Sequence, residues 1–292
     1  MAIFDVSGYG AVGDGATRDT VAIQAAIDDA AVGGGVVLIP AGRRFVSGSL
    51  VLRSHVELRV ERGAVLQCSG DWEDITVRPV TSALSGGIVG PDTPPNGAFI
   101  WADGADDIAI TGSGTIDGGG RHYVAADLGP IHRMPPERPF CVFLLGCTNV
   151  TLSDTSYVDA ALWTVRLTGC EVVRITGLTI RGDPRLPNAD GIDLDRCRRV
   201  RISDCDILTP DDAISLKTTS EYAGRGDCED IVIANCILES RSSAVAFGAD
   251  CTSPVRNVVV SDCVIRRSHR GISLKCCQEG DYQNLLFSDL LI

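Results

Sequence analysis

The chain has 292 residues, 45% of them hydrophobic, and a formal charge of −12. That length can bury a large core in one or two domains. The acidic balance excludes nucleic acid as a partner, because phosphate binding needs a basic surface, and no apolar run is long enough to span a bilayer.

Residues 4–66 open with a turn-rich segment, Gly8-Tyr-Gly-Ala-Val-Gly-Asp-Gly15. One short helix follows, with Thr20 as its expected N-cap and Val21, Ile23, Ala26 and Ile27 as its apolar positions, ending at Gly33-Gly-Gly35. Short strands come next: Val36–Ile39, Phe45–Val46, Leu50–Leu52, Val56–Val60 and Ala64–Leu66. Residues 67–105 and 118–139 read as inserted loops, rich in Gly, Pro and Asp, that carry Trp72, Trp101, His122, Tyr123 and His132. Loops of this length usually serve function. They are expected to wall one end of a cleft, which would suit exo action on short chains.

Beyond Ile108 the sequence repeats. Asn149-Val-Thr-Leu-Ser-Asp154, Val172-Val-Arg-Ile-Thr-Gly177 and Arg199-Val-Arg-Ile-Ser-Asp204 are followed by three further copies. Taking Val150, Val173, Val200, Ile231, Val258 and Leu285 as equivalent, the intervals are 23, 27, 31, 27 and 27 residues. A period of this size made of short strands and turns, with no helix between them, predicts an all-β solenoid, a parallel β-helix. Its coils stack about 4.8 Å apart, so equivalent positions form ladders. One unit cannot bury its own apolar face, so residues 1–292 are expected to form a single domain. Within it, residues 1–66 form the cap and first coils, and residues 140–292 the regular coils. The ladder also accounts for seven of the 12 cysteines. Cys147, Cys170, Cys197 and Cys228 lie three before the anchor, and Cys205, Cys236 and Cys263 five after it. They are expected to be buried free thiols in a reducing compartment. No CxxC pair and no zinc spacing is present. No secretory signal opens the chain, so a cytoplasmic location is expected, or a secreted one if the N-terminus has been trimmed.

Each repeat has a second strand with an inward apolar pair: Val165/Leu167, Ile192/Leu194, Ile214/Leu216, Val245/Phe247 and Ile272/Leu274. The residue two before each pair gives a column Trp163, Asp190, Asp212, Ser243, Arg270, with Asp211 beside Asp212. The intervening residues, Arg166, Asp193, Ser215, Ala246 and Ser273, are expected to point outward. A further row holds Thr168, Asp195, Lys217, Gly248 and Lys275. Carboxylates on neighbouring coils repel, so at least one should keep its proton at neutral pH beside ionised ones. That combination is what glycosidic cleavage requires. Asp154, Asp204, Asp262 and Asp289 follow their strands and read as turn residues. Asp190, Asp211 and Asp212 precede theirs and are the candidate catalytic residues.

These motifs resemble glycoside hydrolase family 28, the polygalacturonase-like hydrolases, over nearly the whole chain. Phe4-Asp-Val-x-x-Tyr-Gly-Ala-Val-Gly-Asp-Gly15 resembles the family's opening, and Gly112-Ser-Gly-Thr-Ile-Asp-Gly118 its Gly-x-Gly-Thr-Ile-Asp-Gly signature. Asn188-Ala-Asp190 resembles its Asn-Thr-Asp motif, and Asp211-Asp212 its Asp-Asp motif. Arg138-Pro139 and Trp163 also sit where such sequences place them. The resemblance implies a right-handed helix and an inverting hydrolase with no metal and no cofactor. Asp211 would be the general acid, and Asp190 and Asp212 would activate water. Asn188, Trp163, Lys217, Ser243, Arg270, Ser273 and Lys275 would meet the oligo- or polysaccharide substrate. Two positions depart from the family: Ser243 replaces its histidine, and Ser273 replaces the arginine that accompanies Lys275. A serine cannot supply a bidentate cationic fork. Arg270 is the candidate substitute, and a rhamnogalacturonan, a rhamnoside or a short pectic oligosaccharide is as much expected as polygalacturonic acid. A β-helix glycosidase on a non-pectic glycan and a non-catalytic carbohydrate-binding β-helix stay open as alternatives. The last segment, Asn284 to Ile292, begins another coil. Its open apolar end predicts homo-oligomerisation, or a chain that stops short of further coils.

Overall fold

The computed structural model describes residues 1–80, 96–275 and 277–292, with the side chains of 77–80 and 96 left aside. Part of the predicted 67–105 insertion, and Cys276 of the adjacent cysteine pair, lie outside the described residues. Three long sheets of ten, nine and nine strands run side by side, and neighbouring strands within each come from successive coils. Apart from Val77–Val80, which pairs antiparallel at the side of the third sheet, the pairings inside them are parallel, as in Val150↔Val173, Val173↔Val200 and Val200↔Ile231 of the first sheet. The architecture is a right-handed parallel β-helix.

Alternation builds each coil. In Glu171–Thr176 and Arg198–Ser203 of the first sheet, Val173, Ile175, Val200 and Ile202 are buried, and Arg174 and Arg201 between them are exposed. That is the period of two expected for a strand with one face on a core. The corners are sharp. Asp154, Asp204, Asp262 and Asp289 take φ between 52° and 62°, the left-handed conformation that Asn and Asp tolerate better than other non-glycine residues. They are turn residues, as their position after the strands implied. Among the described residues one buried apolar cluster runs from Val6 to Ile265, with the ladder cysteines inside it. The eleven described cysteines are all free, ten of them buried. Cys170 and Cys197 Sγ donate to the carbonyls of Leu144 and Leu167, at 3.3 Å each.

The one α-helix among the described residues, Thr20–Gly33, packs on the first coil through Ile23, Ala26, Ile27 and Ala30. Two expectations are corrected there. Thr20 is inside the helix and Asp19 is the N-cap. The Thr20 hydroxyl instead accepts from the Gly48 N–H at 2.8 Å, tying helix to coil. Val21 faces solvent and is 83% exposed, because the buried stripe begins at Ile23. Trp101 also moves. It lies in the strand Asn96–Asp103, buried edge-on against Phe143, and not in a loop. The segment 118–139 does depart from the coil pattern: Ala126–Asp127 and His132–Arg133 pair antiparallel.

Candidate active site

The third sheet stacks Phe140–Leu145, Val165–Thr168, Ile192–Asp195, Ile214–Thr218, Ser243–Cys251 and Arg270–Leu274 in that order. Its register is the predicted one: Val165↔Ile192↔Ile214↔Val245↔Ile272. The ladder of backbone hydrogen bonds continues into the preceding turn, where Gly191 N–H donates to Asp212 O at 2.9 Å and Ala213 N–H to Ser243 O at 2.9 Å. The coils approach closely here. A Cβ at Gly191 would stand 2.3 Å from the Ala213 carbonyl oxygen, so only glycine fits between the two aspartates' coils.

This packing brings Asp190, Asp211 and Asp212 together, each offering a carboxylate oxygen within 4.8 Å of the others. Three acids so placed would also suit a divalent cation, but positive charge already reaches them from two lysines. Lys275 Nζ donates to Asp212 Oδ2 at 2.6 Å. Lys217 Nζ, itself buried, lies 3.8 Å from Asp193 Oδ1 and 3.9 Å from Asp250 Oδ2, over the face of Trp163 at 4.9 Å. The Asp211 backbone is pinned by two hydroxyls, Thr209 Oγ1 and Ser240 Oγ, each donating to its carbonyl at 2.7 Å. Asn188, in the left-handed region at φ 58°, is held from behind. Buried Arg138 donates to Asn188 Oδ1 at 2.8 Å, Ala161 O at 2.9 Å and Pro187 O at 2.6 Å.

The three acids sit in different electrostatic surroundings. Burial raises the Asp190 carboxyl well above the usual range, and the nearby Asp193 and Asp211 charges add to this. Asp211 is raised by burial and by the charge of Asp212. Burial would raise Asp212 too, but the Lys275 charge and hydrogen bond outweigh it and hold Asp212 low. The site therefore keeps one carboxylate ionised beside two that favour their protons.

The row Arg166, Asp193, Ser215, Ala246 was expected to face solvent, and the structure corrects this: each is at most 1% exposed. Tyr222 and Glu221 of the segment Ser220–Arg225 fold back over Arg166. Arg166 is held among Phe140, Phe143, Trp163 and Tyr222, with its guanidinium 4.6–5.5 Å from the ring centres. Its charge is met by Asp195 at 3.7 Å and Glu221 at 3.8 Å. Trp163 and Lys217 thus lie under cover, and the site opens toward the later coils. Asp211, Ser273 and Lys275 are half-buried there and Arg270 is exposed. Arg270 makes no side-chain hydrogen bond or ion pair among the described residues. Ser243 is fully buried, and its N–H donates to Asp212 Oδ1 at 3.0 Å.

Sequence reasoning did not single out Asp193 or Asp250 for the site, and gave Arg138 as a motif residue with no role. Asp193 lay in the outward row and was read as surface; burial raises its carboxyl to about 8, with Lys217 opposing. Asp250 follows a register shift between Leu216 and Thr218 that no periodicity reveals.

The fold and the site define a class: a three-sheeted parallel β-helix with carboxylates clustered before successive strands of one sheet. The model of glycosyl hydrolases family 28 matches residues 66–289, and one described as rhamnogalacturonase A/epimerase, pectate lyase-like, matches residues 3–62. A probable polygalacturonase of Vitis vinifera is 30% identical over 278 residues, which cover 91% of this chain and 55% of that one. Among solved structures, an exopolygalacturonase from Thermotoga maritima superposes with a TM-score of 0.85 at 24% identity, covering 99% of this chain and 72% of the other. The family 28 exopolygalacturonase of Yersinia enterocolitica gives 0.83 at 19% identity, covering 99% and 65%. The chain belongs to glycoside hydrolase family 28. It spans about half the length of the first curated relatives it matches, 55% in each case.

Proposed function

We propose that the protein is a glycosidase that cleaves an α-linked pectic bond, with Asp211 as general acid and Asp212 as the ionised base. Asp190 shares the positioning of the attacking water. The observation that carries this reading is the split among the three carboxylates, with Lys275 at 2.6 Å keeping Asp212 charged while burial favours a proton on Asp211. Asp211 is the member with open access, where a leaving-group oxygen can arrive. Carbohydrate binding without catalysis would need neither the crowded acids nor the difference between them.

Inversion is supported by the family resemblance. The spacing favours a second reading. Oxygens within 4.8 Å are closer than the about 6.5–9.5 Å that admits a water between acid and base, and nearer the about 5 Å of retaining enzymes. The deciding experiment is hydrolysis of a panel of pectic oligosaccharides with the first-formed anomer read by NMR. An inverted product supports the water mechanism, a retained one replaces it with a covalent intermediate, and no hydrolysis of any member removes the enzymatic reading. Exo action is part of the proposal, supported by the 118–139 segment standing outside the coil pattern; early mid-chain cleavage would count against it. The free thiols support a reducing, cytoplasmic compartment. Self-association is proposed through the exposed Leu274, Leu286, Leu291 and Ile292, and a monodisperse monomer in sedimentation would exclude it.

A further inference from the structure

The first sheet carries a second candidate surface. Its outward rows run along the stack, and most of them pair opposite charges or neutral groups. One row reads Thr148, Glu171, Arg198, Glu229, Arg256, with Arg198 and Arg256 bonded back to Glu171 at 3.4 Å and Glu229 at 2.7 Å. The adjacent row reads Thr151, Arg174, Arg201, Val232. Here two arginines sit directly opposite one another on successive coils, both exposed and neither in an ion pair among the described residues. Like charges so placed destabilise a sheet. A second irregularity lies beside them. Seven residues at the start of these strands take φ between 52° and 60°, and five are Asp107, Asn149, Asp230, Asn257 and Asn284. The other two are Val172 and Arg199, on the same coils as Arg174 and Arg201. A β-branched residue in the left-handed region is an outlier that persists at a cost in stability. Val172 is 40% exposed, so burial does not repay that cost. Val172, Arg174, Arg199 and Arg201 line one concavity of about 220 Å³ together with Asn149 and Asp107, with Arg199 paired to Glu171 at 2.7 Å.

We propose that this concavity is a non-catalytic binding site for a polyuronide, a sugar chain with a carboxylate on successive residues. The inference rests on the pectic reading for its choice of ligand. The coil step of about 4.8 Å sets Arg174 and Arg201 close enough for one polyanionic chain to reach both. A guanidinium offers each carboxylate a bidentate fork, and Val172 offers the sugar an apolar contact.

The test is native affinity electrophoresis in gels containing polygalacturonate, neutral galactan or DNA. It compares the full chain with an Arg174→Ser/Arg201→Ser variant, both carrying Asp211→Asn so that the gel is not consumed. Polygalacturonate should retard the parent and bind the double variant about five- to tenfold more weakly, the sum of two exposed charge contacts. Arg174→Lys/Arg201→Lys should keep part of the retardation, and galactan should retard neither. Equal retardation of parent and double variant, no retardation of the parent, or equal retardation by DNA would each overturn the proposal. With Asp211 intact, Arg174→Ser/Arg201→Ser should hydrolyse short oligomers at an unchanged rate, and a loss there would overturn the separateness of the site. If no form hydrolyses a pectic oligomer yet the retardation difference stands, the glycosidase reading fails and this site does not.

Discussion

Replacing Lys275 by methionine keeps the length of the side chain and removes its charge. In the native protein the ammonium lies 2.6 Å from Asp212 Oδ2, with Asp212 buried and the lysine side chain 24% exposed. A hydrogen bond between charged groups contributes about 1.5–3 kcal/mol, and the partial exposure of Lys275 places this one in the lower half of that range. In equilibrium terms the whole range is about ten- to hundredfold in the ratio of ionised to protonated Asp212. Burial then acts unopposed by Lys275, and Asp212 holds its proton to higher pH. If Asp212 is the base, kcat in Lys275→Met falls about tenfold or more on the acidic side, and the acidic limb of the pH profile moves toward neutrality. Lys275→Arg keeps the limb where it was. Stability gives an independent reading. Asp212 is held low in the folded state, so its contribution is present above the unfolded value and is lost as pH falls through the folded one. Lys275→Met should therefore destabilise the protein near neutral pH and much less in acid, measured by urea unfolding. A raised KM with an unmoved acidic limb would refute this reasoning, leaving Lys275 a contact for the substrate alone.

Asp211→Asn should lower turnover by about 10²–10⁴-fold with circular dichroism and melting temperature near those of the parent, as loss of a general acid does; retention of most activity would remove Asp211 from that role. Asp193 is raised to about 8 by burial against the opposing charge of Lys217. A carboxyl raised in the folded state binds its proton more tightly there, so its contribution is full below the unfolded value and is lost as pH rises toward 8. The parent should accordingly lose stability between pH 5 and pH 8, and Asp193→Asn should lose less over the same interval in urea titrations. Arg138→Ala removes three charge-assisted hydrogen bonds to Ala161, Pro187 and Asn188. It should cost at least about 2 kcal/mol, and kcat should fall even where the variant remains folded, because the turn before Asp190 is released. Unchanged kcat in the folded variant would confine Arg138 to stability.

The coil repeat was legible because burial imposes it. Val150, Val173, Val200 and Ile231 fill one interior column, and a one-residue slip would expose all of them. The same regularity places Asp190 and Asp212 in one column. What the sequence hid has two physical sources. The first is cover from outside the ladder. The period of two places Arg166, Asp193 and Ser215 on an outer face, but nothing in it announces that Tyr222 and Glu221 return over Arg166 or that Lys217 lies against Asp193. The second is distance along the chain. Arg138 reaches Asn188 from 50 residues away, and the shift that presents Asp250 to Lys217 breaks the register on which the reading depended.

The substrate question turns on which cation is free to meet a uronate carboxylate. Ser273 stands where the family resemblance puts an arginine, and Lys275, the cation kept, is already bonded to Asp212. Lys217 is buried between Asp193 and Asp250. Arg270 remains: it is the register partner of Ser243, it stands at the open end of the acid column, and it carries no ion pair among the described residues. If an acidic sugar is bound beside Asp211, Arg270 is the residue that receives its carboxylate. Arg270→Ala should then raise KM for a galacturonate oligomer by about tenfold or more, the worth of one charged hydrogen bond. It should leave KM for a neutral rhamnoside unchanged. Ser273→Arg should act in the opposite direction on the acidic oligomer. Equal effects of Arg270→Ala on acidic and neutral substrates would show that this arginine shapes the cleft without reading charge, and a neutral pectic sugar would then be the better fit to the site.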